Sequence, residues 1–250
     1  MNNRLGEERL MNCGMKAKII RYGNCEDMDI KFENGYIVKN RTYDAFKKGS
    51  IKNLYCPSVY NVGYLGETKI VDENGKGLKS YDCWHSMLQR CYDENFHFKY
   101  PTYKGCVVCE EWKCYKNFKE WHDNNYYKLN NQKMHLDKDI LIKGNKIYSP
   151  KTCIFVPQTI NSLFIKNNSV RGELPIGVSR NKKTKKYASN ITIESTCSVF
   201  LGYFDTPEES FYSYKEAKEK EIKRVADEYK DRIPQKLYEA MYNYTVDIDG

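Results

Sequence analysis

Residues 198–226, SVFLGYFDTPEESFYSYKEAKEKEIKRVA, pass from a strand-like to a helix-like pattern within one short stretch. Residues 198–203 alternate apolar and polar side chains, as residues 176–193 do before them, whereas from Thr206 to Ala226 apolar residues recur at helical spacing. Thr206-Pro207 supplies a helix cap and a first-turn residue, and Glu208-Glu209 lie where the helix dipole favours negative charge. The stretch therefore predicts a three-stranded sheet packed on one helix.

A second small sheet is predicted near the start of the chain. From Lys16, the segments KAKIIRYG and DMDIKFENGYIVKN alternate in the same way, and Asn34-Gly35 supplies the positive φ angles of a tight hairpin. Thr42 can cap a short helix that ends at Gly49. The basic edge of this unit fits contact with phosphates and a plain solvated face equally well; its residues are Lys39, Arg41, Lys47, Lys48 and Lys52.

Two helical stretches lie between these sheets. Residues 81–92, YDCWHSMLQRCY, place Trp84, Met87, Leu88 and Cys91 on one apolar face. Residues 109–128 form an aromatic-rich helical stretch, and its predicted buried anchors are Trp112, Phe118 and Trp121.

The fold class predicted from these patterns is α+β, with a boundary near Pro57 and a linker, KNNSVRGELP, after Ile165. The predicted parts are a β-rich, SH3-like accessory module at 14–56, a central domain at 60–165, a sheet-and-helix domain at 172–230 and a helical tail at 231–250.

The composition favours an anionic partner inside a cell. Lys and Arg exceed Asp and Glu by 41 to 33, a formal charge of +8. No apolar stretch approaches the roughly 20 residues of a membrane span, and residues 1–11, MNNRLGEERLM, lack the apolar core of a secretory signal. We therefore expect a cytoplasmic protein with no membrane partner.

The ten cysteines are expected to be thiols rather than disulfides in such a compartment. Cys106 and Cys109 have the spacing of half a zinc site, which Cys91, Cys114 or Cys153 could complete. Because a full zinc site usually shows two such pairs, a structural Zn²⁺ is not expected.

The central region resembles the HNH proteins of phages and mobile elements. The resemblance rests on Trp84, Met87 and Arg90-Cys91-Tyr92, on a Tyr103 to Trp112 segment, and on LDKDILIKGNKIYSPKTCIFVP at 136–157, followed by Asn161. It implies a ββα-metal fold, in which two strands and a helix hold one divalent cation such as Mg²⁺ against the scissile phosphate.

The same resemblance assigns expected roles to individual residues. Asp137 is the metal-ligand candidate, and Lys138 stands where the family has its general-base histidine. Asn145 matches the asparagine that braces the ββα loop, and Asn161 matches the last ligand on the helix. His135 could act as the base if the strand register slipped by one residue.

The third unit resembles the plant ethylene-response-factor (Apetala-class) DNA-binding domain over residues 175–222. Gly177-Val178, Lys186-Tyr187-Ala188, Ile191 and LGYFDTPEESFYSYKEAKEK carry this resemblance. It implies that the sheet lies in the major groove of DNA and that the helix buttresses it. The expected DNA-contacting residues are Arg180, Lys182, Lys183, Lys185, Lys186 and Tyr187.

Three functions follow as expectations. The chain is a metal-dependent DNA endonuclease of the HNH homing type, encoded by a phage or prophage in a bacterial host. Alternatively, it is a catalytically inactive DNA-binding regulator or a phage accessory protein that blocks host defence, and Lys138 favours this version because a protonated lysine cannot accept a proton from water near neutral pH. The third possibility is a protein-interaction module for a host or phage partner. Double-stranded DNA is the expected ligand in the first two.

Overall fold

The computed structural model of the protein describes residues 4–165, 173–193 and 197–248, and shows a mixed α+β chain in two compact units. The first unit runs to Asn124 and includes Ile147–Ser149, and the second contains Asn125–Lys146 and the residues from Pro150 onward. Within those described ranges, no helix has both the length and the apolar character needed to cross a bilayer. The predicted linker KNNSVRGELP falls mostly outside the described residues.

The first unit begins with a four-stranded antiparallel sheet in the order β1 (Glu8–Leu10), β2 (Lys16–Asn24), β3 (Asp27–Phe32) and β4 (Ile37–Arg41). The predicted hairpin at Asn34-Gly35 joins β3 to β4, with Gly35 at a φ of 89°. Helix α1 (Tyr43–Lys47) follows, capped by the Thr42 hydroxyl as predicted. Alternate strand residues and Phe46 of α1 form the core beneath the sheet.

The rest of the first unit is mainly helical. It contains α2 (Lys79–Tyr92), α3 (Glu94–Lys99), a 3₁₀ turn (Pro101–Tyr103), β5 (Val107–Val108), α4 (Glu110–Lys113), α5 (Tyr115–Asn125) and β7 (Ile147–Tyr148), which pairs in parallel with β5. Trp84 donates its indole N–H to the carbonyl oxygen of Trp112 at 2.7 Å. The predicted anchors Trp112 and Phe118 are fully buried, whereas Trp121 is partly exposed and packs its ring against that of Trp112.

The second unit contains two separate sheets. Strands β6 (Met134–Asp137) and β8 (Ile154–Pro157) pair antiparallel and lead into α6 (Gln158–Leu163). Strands β9 (Val178–Arg180), β10 (Tyr187–Ile193) and β11 (Cys197–Phe204) form an antiparallel sheet in the order β11-β10-β9. Helix α7 (Pro207–Tyr229), a 3₁₀ turn (Lys230–Arg232) and α8 (Gln235–Tyr242) complete the unit.

Helix α7 serves both sheets of the second unit. Its first half places Phe211 and Tyr214 against Val178 and Ile191 of the three-stranded sheet. Its second half packs into a different core made by the β6–β8–α6 segment and α8; the α7 residues there are Ile222, Val225, Ala226 and Tyr229.

This shared helix explains why the units differ from the predicted domains. The predicted 60–165 region is divided between the two units, because β6, β8 and α6 bury their apolar residues against the second half of α7. The predicted tail at 231–250 contributes Ile233, Leu237 and Met241 to the same core. The tail is therefore an integral part of the second unit.

Candidate nucleic-acid interface

The sheet β9–β11 has one face packed on α7 and one open face. Cross-strand partners point to the same side of a sheet, so the register of the strands assigns each residue to a face. Val178, Ile191 and Val199 point toward α7. The opposite face carries Ser179, Ala188, Asn190, Thr192, Ser198, Phe200 and Tyr203.

A β-bulge in β11 brings two aromatic rings together on the open face. Ser189 pairs with Gly202, but the next residue, Asn190, pairs with Phe200, so Leu201 is the extra residue. Phe200 and Tyr203 therefore share a face although three positions separate them. Their ring centroids lie 4.9 Å apart in an edge-to-face arrangement, and their exposed fractions are 53% and 50%. The two adjacent rings form an exposed apolar patch on this face.

The turn between β9 and β10 holds three lysines beside this face. Asn181 shapes the turn, because its side-chain oxygen accepts hydrogen bonds from the backbone N–H groups of Lys183 and Thr184 at 2.9 and 3.2 Å. Its amide nitrogen donates to the hydroxyl of Tyr203 at 3.1 Å, which links the turn to the aromatic pair. The three lysines are exposed and make no ion pair with the described residues; they are Lys182, Lys183 and Lys185.

The other three predicted contact residues lie differently. Lys186 is paired with Asp205 at 3.0 Å. Tyr187 is partly buried against the α7 side of the sheet, and the Arg180 guanidinium lies 5.7 Å from the centre of its ring. Because Arg180 and Tyr187 are cross-strand partners, both point to the side that packs on α7 rather than to the open face.

Sequence reasoning missed the aromatic pair. Simple alternation along residues 198–204 assigns Phe200 and Tyr203 to opposite faces, and only the bulge places them together. Gly202, with a φ of 146°, is the one available signal, because glycine inside a strand often marks a bulge.

The β6–β8–α6 segment has the strand, loop, strand and helix order of a ββα unit. Asp137 ends β6 opposite Ile154 of β8. Its Oδ1 accepts hydrogen bonds from the backbone N–H groups of Asp139 and Ile140 at 2.9 and 2.7 Å, so this carboxylate shapes the turn after the strand. Asn145 donates from Nδ2 to the carbonyl oxygen of Lys138 at 2.6 Å and closes the loop.

The two residues that follow Asp137 in the chain, Lys138 and Asp139, are both charged. Burial raises the pKa of Asp137, and the nearby Asp139 carboxylate raises it further, while the two N–H donors oppose the rise. The Lys138 side chain is nearly buried, and its ammonium lies 2.9 Å from a carboxylate oxygen of Asp139. Lys138 is thus held in an ion pair.

The remaining predicted catalytic and metal residues are spread along the segment. His135 lies two positions before Asp137 and bonds through Nε2 to the side chain of Gln158 at 2.5 Å. The N-terminus of α6 adjoins the beginning of β6, where the N–H of Gln158 donates to Lys133, whereas Asp137 lies at the far end of that strand. In the described part of the chain, no hydrogen bond joins Asp137 to Asn161, one turn into α6.

The carboxylates around Asp137 already make bonds within the protein. Mg²⁺ usually takes one or two carboxylates together with water and substrate phosphates. Here Oδ1 of Asp137 already accepts two backbone bonds, and the Asp139 carboxylate is neutralised by Lys138. Across residues 4–165, 173–193 and 197–248, no three His, Cys, Asp or Glu side chains are grouped to hold a metal ion.

No disulfide bond joins the cysteine candidates for zinc in the described residues. Cys91, Cys106 and Cys153 are buried and Cys109 is partly exposed, and all four carry reduced sulfur. They form no metal-binding group among the residues that the structure describes. Burial raises the pKa of the Cys109 thiol.

Comparison of the chain with protein-family models, with curated proteins and with solved structures found no match in any of the three.

Proposed function

We propose that the protein binds double-stranded DNA through the open face of the β9–β11 sheet and the lysine turn beside it. The observation that carries this proposal is the bulge that places exposed Phe200 and Tyr203 on one face, next to three lysines that form no ion pair with the described residues. The major groove admits a two-stranded β-ribbon, and the residues in question lie on the adjacent strands β10 and β11.

Each part of this surface has a chemical task on DNA. Lys182, Lys183 and Lys185 contact phosphates, which supplies affinity without sequence information. Phe200 and Tyr203 make apolar contacts with bases and sugars. Asn190 pairs with Phe200 across the strands and so offers its amide on the same face, where an asparagine can bond to adenine. Lysine is a point charge without the bidentate fork of arginine, so this surface favours modest sequence specificity.

The aromatic pair is tested by fluorescence anisotropy with a labelled duplex. Replacing Phe200 and Tyr203 together by alanine is expected to lower affinity at least tenfold. Tyr212→Ala is the control, because Tyr212 is an exposed aromatic residue on α7, away from the open face, with an exposed fraction of 65%. Equal losses in the two variants would show that the open face has no special role.

The lysine turn is tested by the salt dependence of binding. Replacing Lys182, Lys183 and Lys185 by glutamine should reduce the slope of log K against log salt by about 0.9 for each phosphate that is no longer neutralised, or about 2.7 in all. The control replaces three exposed lysines elsewhere in the same unit, which are Lys151, Lys220 and Lys236. An unchanged slope in the first variant contradicts binding of phosphates by the turn.

DNA strand cleavage is a second candidate, favoured by the ββα order of β6, β8 and α6. A supercoiled-plasmid assay with Mg²⁺ or Mn²⁺ separates it from binding. The protein is an endonuclease if the wild type nicks the plasmid, if EDTA abolishes nicking and if the Asp137→Ala variant does not nick. Duplex binding without nicking would establish the non-catalytic version, and a gain of nicking in Lys138→His would identify position 138 as the place of the base.

A further inference from the structure

The four-stranded sheet of the first unit has a concavity that neither proposed activity uses. It has a volume of about 400 Å³ and lies between β4, α1 and the segment that follows α1. This is within the range of about 300–1,000 Å³ typical of small-molecule sites. The lining residues are Tyr36, Val38, Arg41, Ala45, Ser50, Ile51, Lys52 and Leu54.

The concavity combines an apolar floor with cationic groups. Val38 and Ile51 are buried, and Ala45 and Leu54 are partly buried, so the floor offers an aliphatic surface. Arg41 and Lys52 are exposed and make no ion pair or side-chain hydrogen bond within the described ranges. Among the residues that the structure describes, no carboxylate lines the concavity.

Tyr36 adds a third polar group to this lining. Its ring is held edge-to-face against that of Tyr55, with centroids 5.2 Å apart, and its hydroxyl has no hydrogen-bond partner among the described residues. Burial raises the pKa of Tyr36, with a further rise from Glu67, so the phenol stays protonated at neutral pH and can donate a hydrogen bond. Three side-chain donors that can bind a ligand therefore surround one apolar floor.

We infer that this concavity binds a nucleoside 5′-monophosphate, either free or as the phosphorylated 5′ end of a DNA strand. The two positive charges of Arg41 and Lys52 match the charge of about −1.5 to −2 on a phosphate monoester at pH 7 better than the single charge of a carboxylate. The guanidinium fork and the ammonium bind the phosphate. The base lies on the aliphatic floor, beside Tyr36. This site is separate from the β9–β11 surface and does not depend on it.

Calorimetric titration of the full chain with dAMP tests the inference. We expect dAMP to bind at least tenfold more tightly than deoxyadenosine or inorganic phosphate, because only dAMP supplies both the planar body and the anion. The double variant Arg41→Gln/Lys52→Gln should lower dAMP affinity at least tenfold. Ala45→Phe should do the same by filling the concavity without a change of charge.

The control is Lys39→Gln/Lys47→Gln, which removes two charges from exposed residues of the same module outside the concavity. If this control weakens dAMP binding as much as the Arg41 and Lys52 variant does, dAMP responds to the overall positive charge of the module rather than to the concavity. That result overturns the inference. Absence of dAMP binding to the wild type also overturns it, as does tighter binding of a phosphotyrosine peptide.

Two oligonucleotides distinguish the sources of the ligand. Tight binding of a 5′-phosphorylated tetranucleotide, but not of its 5′-hydroxyl form, supports the inference and assigns the site to strand ends. Binding of dAMP without binding of the 5′-phosphorylated tetranucleotide also supports the inference and assigns the site to free nucleotides. The variant with Lys182, Lys183 and Lys185 replaced should retain full dAMP affinity, so a failure of the sheet proposal is distinguishable from a failure of this one.

Discussion

The side-chain amide of Asn145 donates a hydrogen bond of 2.6 Å to the backbone carbonyl oxygen of Lys138, seven residues earlier. The backbone N–H of Asn145 also donates to the carbonyl oxygen of Ile142 at 3.1 Å. Together with the Asp137 carboxylate, which accepts from Asp139 and Ile140, these bonds give the loop between β6 and β7 a defined shape. These bonds within the loop add to the contact that Lys143 makes with the backbone oxygen of Thr245.

Replacing Asn145 by alanine should destabilise the protein by about 1–3 kcal/mol, because the partly enclosed carbonyl of Lys138 loses its donor. Urea denaturation of the two proteins measures this difference. Lys151→Ala, at an exposed position in the same unit, is the control and should change the free energy of unfolding by no more than about 0.5 kcal/mol. If Asn145→Ala lowers the free energy of unfolding no more than Lys151→Ala does, the hydrogen bond does not contribute to stability.

The stability of the Asp137→Asn variant should depend on pH in a particular direction. Burial raises the pKa of Asp137 in the folded protein, so the folded state binds more protons than the unfolded state above the ordinary pKa of 3.8. The free energy of unfolding of the wild type therefore falls as pH rises from that value through the raised pKa. Asparagine keeps the Oδ1 acceptor and removes the charge.

The stability of Asp137→Asn relative to wild type should accordingly increase across this window and become constant above it. Urea denaturation at intervals from about pH 3.5 to about pH 7 follows the difference. A relative stability that decreases with pH would mean that the two N–H donors outweigh burial and lower the pKa instead.

Gly177 has no room for a side chain. Its φ is +78°, and a Cβ there would lie 2.1 Å from the ring of Tyr214. Gly177→Ala should therefore cost about 2–5 kcal/mol, from the left-handed backbone and from the collision. Gly144 is a matched control, since its φ is +75° and its Cβ would meet nothing within 4 Å. Gly144→Ala should cost only the backbone part, about 1–2 kcal/mol. Equal losses of thermal stability in the two variants would contradict this account.

Ile222 lies at the point where α7 passes from one core of the second unit to the other, and it is fully buried. Ile222→Ala should cost about 2–5 kcal/mol, and Ile222→Val about 0.5–1.5 kcal/mol. Because one helix supports both sheets, the Ile222→Ala variant should show less protection from hydrogen exchange than the wild type in both β8 and β10. Loss of protection in β8 alone would show that the two parts unfold independently.

Local patterns predicted most of the individual elements. The Asn34-Gly35 hairpin, the Thr42 cap and the helix starting at Pro207 all depend on residues close together in the chain, and they form as predicted. The surroundings of individual side chains were harder to predict from local patterns. Lys186 and Tyr187 have the composition of a nucleic-acid-binding strand, but one is paired with Asp205 and the other packs toward α7.

The sequence by itself determined the mixed α+β class, the Asn34-Gly35 hairpin, the capped helix starting at Pro207 and the basic turn at 182–185, because alternation, capping and turn chemistry are local properties. Only the tertiary structure decided two further features. The bulge at Leu201 brings Phe200 and Tyr203 to one face, and the long helix α7 joins the β6–β8–α6 segment to the β9–β11 sheet. Both depend on which distant residues pair or pack together. Alternation along one segment does not determine that choice, and Gly202 indicates only that β11 can accommodate a bulge.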